Sequence, residues 1–310
     1  MITSKISLVF LTIVILAKLT CGQQRISDIK CKEYESLTQI PFYVSSHPSF
    51  PVNKVATDGC KHKSVPLVIG GTNANINEFP HQALLGFEVG NKIEWSCGGS
   101  IVSPNFILTA AHCIIHPKNV TVSLIKVGML QRLEDKFTVT YDVAKVFQHQ
   151  EFNKRTINND IGLIRLTRNI EFSDKIYPIC LPSKQDEDSD VIVTGFGRTA
   201  QYHAQSDNLL KVGLELFPFD ECQKLYRKKR LNQSTMICYG HQTEKKDACQ
   251  GDSGGPAQIL NDIQSKCTYK QIGIVSFGPK NCGQIGFPGV FTNVFYYLNW
   301  IESIVWKDEM

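Results

Sequence analysis

Three short motifs in the chain carry side chains that can do chemistry together. Gly251-Asp252-Ser253-Gly254-Gly255-Pro256 sets a serine among glycines, which permit a tight loop whose backbone N–H groups at Gly251 and Ser253 can point at a developing oxyanion. Thr109-Ala110-Ala111-His112-Cys113 follows a strand-like run and presents an imidazole, and Asn158-Asn159-Asp160-Ile161-Gly162-Leu163 sets a carboxylate against an apolar run. A serine hydroxyl is a poor nucleophile near neutral pH, so acyl transfer through serine needs a base beside it, an acid to orient the base and donors for the oxyanion. Each motif alone is commonplace: a lone histidine is usually structural and Gly-Asp-Ser is an ordinary turn. The three in the order His, Asp, Ser are a specific combination.

The elements that must hold these residues read as strands. After Val68 the chain alternates short apolar, β-branched runs with turn residues, as in Ser100 to Leu108, Val120 to Val127, Asp190 to Gly195 and Gln271 to Phe277, which predicts an all-β body. Two helices are expected, one beginning near Asp220 and one at the C-terminus, where Phe295, Leu298, Ile301, Ile304 and Val305 approximate an apolar face. From Gln23 to Leu67, Pro41, Pro48, Pro51 and Pro66 lie among polar residues without a sustained helical period. That stretch reads as a pro-segment or linker, not a folded domain.

Bulk properties narrow the classes. The 310 residues are 42% hydrophobic and 20% charged, the make-up of a globular protein, and the formal charge of +4 is too dispersed to suggest nucleic acid as partner. Lys5, the apolar stretch Ile6 to Ala17 and Thr20-Cys21-Gly22 read as a signal peptide over 1–22, too short in its apolar part to span a bilayer, so secretion and no membrane anchor are expected. Eleven cysteines fit an oxidising compartment; if Cys21 leaves with the leader, ten remain for bridges. No cysteine or histidine cluster has metal-ligand spacing, and neither a metal nor any other cofactor is expected.

On the three motifs, the chain from Val68 onward resembles the chymotrypsin/trypsin family of serine proteases. The resemblance implies two six-stranded antiparallel β-barrels with a C-terminal helix, roughly Val68 to Pro182 and Ser183 to Val294, within a peptidase domain over 68–310. It also implies a catalytic triad of His112, Asp160 and Ser253, with an oxyanion hole from the amides of Gly251 and Ser253. Asp247, six residues before the serine, resembles the acidic floor of a specificity pocket; the alternative, against which the wall residues argue, is a surface aspartate paired with Lys245 or Lys246. Ser276-Phe277-Gly278 resembles the strand that binds substrate backbone, and Gly278 with Gly289 would leave the pocket open to a long cation. Cleavage after arginine or lysine is the implied specificity, and Pro288 argues against a sodium site.

Leu67-Val68-Ile69-Gly70-Gly71 resembles the activation junction of such zymogens: a cut after Leu67 would free the Val68 amine to pair with Asp252. Leucine before the junction does not suit a protease of arginine or lysine preference, so a different upstream protease is expected to activate the chain. Ser64-Val65-Pro66-Leu67 and Lys30-Cys31-Lys32-Glu33-Tyr34 resemble the snake-like, clip-domain family of arthropod proteases, here without the six-cysteine clip domain. That implies an extracellular cascade role in immunity or development, or a venom protease. The partners would be a protein substrate, which could be another zymogen, and a serpin-type inhibitor. The alternatives are a catalytically silent binding protein on the same scaffold and a digestive trypsin. Family resemblance suggests bridges Cys97–Cys113, Cys222–Cys238, Cys249–Cys282 and Cys60–Cys180, which leaves Cys31 and Cys267 to pair. Asn119 and Asn232 open glycosylation sequons, and Arg227-Lys228-Lys229-Arg230 is a basic run suited either to a polyanion or to plain solvation at a helix end.

Overall fold

The structure is a computed structural model, and it describes residues 24–37, 71–133, 138–173, 175–182, 190–198, 204–261, 268–279 and 281–309. In chain order the elements are helix α1 (Ile26–Leu37), strands β1 (Thr72–Asn73), β2 (Gln82–Val89), β3 (Lys92–Ser103), β4 (Phe106–Thr109), β5 (Leu124–Val127), β6 (Val139–Gln148), β7 (Gly162–Leu166), β8 (Val191–Gly195) and β9 (Leu210–Leu216), and helix α2 (Phe219–Leu225). Strands β10 (Met236–Gly240), β11 (Pro256–Leu260), β12 (Tyr269–Phe277) and β13 (Gly289–Asn293) follow, and helix α3 (Leu298–Val305) comes last.

Strands β2-β3-β4-β7-β6-β5 close into one antiparallel barrel. Strands β9-β10-β13-β12-β11-β8 close into a second through the β8–β9 pairing, so the two-barrel, all-β expectation describes the fold. Closure removes the edges that a short-stranded sheet would otherwise expose. The first core is built from inward aliphatic residues such as Leu85, Ile101, Ile107, Ile125 and Ile164, and the second from Val193, Leu214, Tyr239, Val275 and Phe291. Strand β1 departs from the expected division at Pro182: although it precedes the first barrel in sequence, Thr72 and Asn73 pair with Lys211 and Leu210 of β9 in the second. The start of the domain is thus stitched to the barrel that carries Ser253.

Helix α2 starts one residue before Asp220, which lies in its first turn with Glu221, where acidic side chains complement the exposed N–H groups. At the C-terminus a short 3-10 turn over Phe295–Tyr297 leads into α3. Leu298 and Ile301 are buried against the first barrel's cluster, with Phe295, Ile304 and Val305 packed beside them, so the apolar face read from the sequence is the docking face.

Two expectations for the amino-terminal segment are corrected. First, α1 is a twelve-residue helix inside a segment read as linker. Its inward positions are Ser27, Cys31 and Tyr34, spaced four and three apart, of which only Tyr34 brings much apolar surface. The polar members are held by specific partners. Glu302 of α3 accepts from the Ser27 hydroxyl at 2.6 Å and pairs with Arg25 at 2.7 Å, Lys30 pairs with Glu309 at 2.6 Å, and Tyr34 meets Phe172 edge to face. A helix whose docking is mostly hydrogen bonds leaves no hydrophobic period to read. Second, Cys31 is bonded to Cys180, in place of the expected Cys60–Cys180 and Cys31–Cys267 bridges. The docking of α1 brings the Cys31 and Cys180 Cα atoms to 5.0 Å, within bridging distance. Cys60 and Cys267 lie outside the described residues. Among the described residues the other bridges are Cys97–Cys113, Cys222–Cys238 and Cys249–Cys282.

Candidate active site

His112 sits in the one-turn 3-10 segment Ala111–Cys113 that follows β4, and Asp160 in the loop that leads into β7. Because β4 and β7 pair, with Thr109 opposite Gly162, the residues just outside both strand ends are brought face to face. The Asp160 Oδ2 atom lies 2.7 Å from His112 Nδ1, and Oδ1 accepts from the His112 backbone N–H at 2.9 Å. The ring is therefore held at its Nδ1 edge, leaving Nε2 to face outward, 3.6 Å from Cys113 Sγ. The Cys97–Cys113 bridge and the Thr109 hydroxyl, which donates to the Gly98 carbonyl at 2.8 Å, fix the turn to β3.

Asp160 is 1% exposed and is wrapped by donors from the second barrel. The Ser276 hydroxyl at the end of β12 donates to Oδ2, and the Thr292 hydroxyl of β13 donates to the Asp160 carbonyl at 2.8 Å. Burial favours the neutral imidazole of His112, but the charge and hydrogen bond of Asp160 outweigh it, so the His112 pKa stands above its ordinary value, with Lys229 acting the other way.

Ser253 comes from the second barrel, on the loop before β11. Its carbonyl accepts from Gly98 N–H at 2.7 Å, which ties the serine loop to β3 beside the histidine turn. Gly251 has φ +108° and Gly254 φ +78°. A Cβ at Gly251 would stand 2.6 Å from Gln205 Nε2, and one at Gly254 would meet Thr109 and Gly98, so the loop takes this shape only with glycine at both positions. Among the described residues no acceptor takes the N–H of Gly251 or Ser253, and no hydrogen bond joins Ser253 Oγ to His112. Two free backbone donors beside a serine can stabilise negative charge forming on a carbonyl oxygen.

Asp247 is half-buried, with Oδ2 accepting from Gly283 N–H at 3.3 Å and Oδ1 enclosed without a hydrogen-bond partner among the described residues. Of the two candidate surface partners, Lys245 and Lys246, the second binds Glu244 instead, at 2.7 Å. Burial pushes the Asp247 carboxyl up to about 7 against two backbone hydrogen bonds that lower it. A Cβ at Gly289 would sit 3.4 Å from Asp247 Oδ1, and one at Gly278 would meet only Gly289 Cα, at 3.9 Å. The approach to the carboxylate is therefore lined by backbone. An orphaned, desolvated carboxylate oxygen is stabilised by an incoming cation that carries its own donors.

Asp252 points away from Ser253, its oxygens accepting from Gly197 N–H at 2.7 Å and Cys249 N–H at 2.9 Å. Burial raises this carboxyl to about 6. Leu67 and Val68 lie outside the described residues. Asn119 and Asn232 are both exposed. The sequence reading assigned Ser276 to substrate backbone and gave no role to Thr292. Their contacts with Asp160 span 116 and 132 residues, and no local pattern signals them.

Two closed barrels with a histidine–aspartate pair and a glycine-bound serine loop at their junction define the two-barrel architecture of the trypsin class, with a site arranged for acyl transfer. A family model described as Trypsin matches residues 68–301, and the chain belongs to that family. Serine protease snk of Drosophila melanogaster is 34% identical over 296 residues, covering 92% of this chain and 66% of its own. CLIP domain-containing serine protease B4 of Anopheles gambiae is 36% identical, covering 77% of this chain and 70% of its own. Proclotting enzyme of Tachypleus tridentatus is 33% identical, covering 82% and 70%. The chain spans about two thirds of the length of these relatives, and for the first of them slightly less. Among the described residues no helix is long and apolar enough to cross a membrane.

Proposed function

We propose that this chain is the secreted precursor of a serine endopeptidase that cleaves proteins after arginine or lysine. In this reading Ser253 is the nucleophile and His112 takes its proton during attack, later passing it to the leaving amine. Asp160 holds the ring and stabilises the imidazolium, while the amides of Gly251 and Ser253 receive the oxyanion. The observation that carries the specificity is the unpartnered Oδ1 of Asp247 behind the bare walls at Gly278 and Gly289. An arginine would satisfy it with a two-pronged pair, and Ala248 beside it offers no hydroxyl to help a lysine, so arginine is preferred.

Residues 1–22 are a leader and 23–67 a pro-segment in this scheme, and activation is a cut after Leu67. The freed Val68 amine enters the body and pairs with Asp252, which among the described residues has backbone donors alone. A buried carboxylate without a cation is costly, so the pair forms only when the amine arrives, and the serine loop is completed with it. A protease of another specificity makes the cut, the substrate is a further protein of a cascade, such as another zymogen, and a serpin-type inhibitor ends the activity. The match to Proclotting enzyme, whose name places that relative in clotting, supports the cascade reading. The experiment is to purify the secreted precursor and assay an arginine ester before and after cleavage at Leu67. A rise of at least about a hundredfold on cleavage is expected; equal activity before and after would overturn the zymogen reading.

A further inference from the structure

The basic run after α2 is not uniform. Arg227, Lys228 and Arg230 are exposed, whereas Lys229 is half-buried. Its Nζ lies 3.8 Å from the centroid of the Phe277 ring. Phe277 is the last residue of β12, next to Ser276, whose hydroxyl binds Asp160.

The position of Lys229 is built. Its N–H donates to the Tyr226 carbonyl at 2.8 Å and its carbonyl accepts from Gln223 Nε2 at 3.0 Å. The Tyr226 ring meets Phe277 edge to face at 5.5 Å, and its hydroxyl donates to the Pro288 carbonyl at 2.6 Å. Among the described residues no carboxylate lies within ion-pairing distance of the Lys229 ammonium, which rests on the aromatic face of Phe277. Its field reaches both His112 and Asp160, so it stands close to the reacting centre.

A substrate with its basic side chain against Asp247 must run back along Ser276, Phe277 and Gly278, beneath this ammonium. Side chains of an extended peptide alternate, so within three residues at least one faces the enzyme there. We propose that Lys229 is a specificity-determining residue which selects substrates with an acidic side chain within the three positions preceding the cleaved residue. The inference rests on the Asp247 pocket under Proposed function and on Ser276-Phe277-Gly278 as the strand that takes the substrate backbone. It adds an acidic requirement that the Asp247 pocket does not impose. A partly desolvated ammonium on an aromatic face discriminates charge more strongly than one in open water.

The test uses the full chain cut after Leu67 and paired peptides that differ only by Glu against Gln at each of the three positions preceding the cleaved residue. At low salt, kcat/KM for the Glu peptide should exceed that for the Gln peptide by about tenfold at one of these positions. Lys229→Gln should bring the ratio to about one, and Lys229→Glu should invert it. Lys228→Gln should leave the ratio within about twofold. A wild-type ratio of one, or a ratio that survives Lys229→Gln, overturns the proposal. The same ratio is read as affinity on Ser253→Ala chains by fluorescence anisotropy, so it does not depend on turnover. If arginine and lysine peptides prove no better than others, the assignment of Asp247 has failed; the Glu/Gln ratio is then read on whichever cleaved residue the enzyme prefers, and it decides the Lys229 proposal on its own.

Discussion

The Ser276 hydroxyl donates to Oδ2 of Asp160, the same oxygen that faces His112 Nδ1. The second barrel thereby shares the acid that orients the histidine of the first. A carboxylate with one donor fewer is more basic and holds an imidazolium more strongly. Ser276→Ala should therefore raise the His112 pKa further, moving the acid limb of the kcat/KM profile to higher pH by about half a unit. It should also lower kcat/KM by up to about tenfold through looser positioning. A pH–rate profile on an arginine ester checks both, and an acid limb that moves to lower pH would contradict the shared-oxygen account.

Asp247 sets a second pH dependence. Its carboxyl titrates near 7 because burial disfavours the charge, and only the ionised form pairs with a cation. Affinity for a small amidinium such as benzamidine should be nearly full at pH 8 and fall by about a hundredfold at pH 5. Calorimetry on the cut Ser253→Ala chain separates this from the titration of His112 as a base in turnover. An affinity that stays flat over that range would mean Asp247 is ionised throughout.

These two residues also show what could be read in advance. His112, Asp160, Ser253 and Asp247 each stand in a short motif whose spacing is local, so the sequence exposes them directly. The Ser276–Asp160 bond joins residues 116 apart and depends on how two barrels abut, which no periodicity records. Helix α1 escaped notice for a different reason. Its buried face contains Ser27 and Cys31, and what holds it is Glu302, far along the chain. The Cys31–Cys180 bridge follows from that docking, so missing the helix within the segment also misassigned its cysteine.

The bridge is checked by peptide mapping. A non-reduced digest should contain Cys31 linked to Cys180, and chain cut after Leu67 should run as one species until reductant is added. A peptide linking Cys60 to Cys180 would contradict the docking of α1. Within that docking, Glu302→Ala leaves the Ser27 hydroxyl without its acceptor and Arg25 with Asn299 in place of the ion pair, and should lower unfolding free energy by about 2 to 3 kcal/mol. Urea denaturation of the Ser253→Ala chain measures it.

His81 is fully buried between Phe79 and Tyr269, hydrogen-bonded through Nε2 to Gln258. Burial lowers its pKa to about 4, against a weaker raising effect of Gln258. The unfolded chain protonates this histidine near 6.5, so its neutral form supports the fold fully above that pH, and the support is lost as pH falls through 6.5 toward 4. The loss amounts to about 3 kcal/mol. His81→Phe lacks it, and the titrations of Asp247 and Asp252 cancel in the comparison. The stability gap between the two chains should narrow by about 3 kcal/mol from pH 7.5 to 4; a constant gap would show that His81 is not buried as a neutral ring.

The central assignment joins Ser253 as nucleophile to Asp247 as the specificity residue. It is tested most directly by kcat/KM of the chain cut after Leu67 on arginine, lysine and aromatic esters, beside the Ser253→Ala control. Arginine should exceed lysine modestly and the aromatic ester by at least about a thousandfold, and Ser253→Ala should lose about a millionfold in kcat. Activity that persists in Ser253→Ala, or a preference for the aromatic ester, would contradict the assignment.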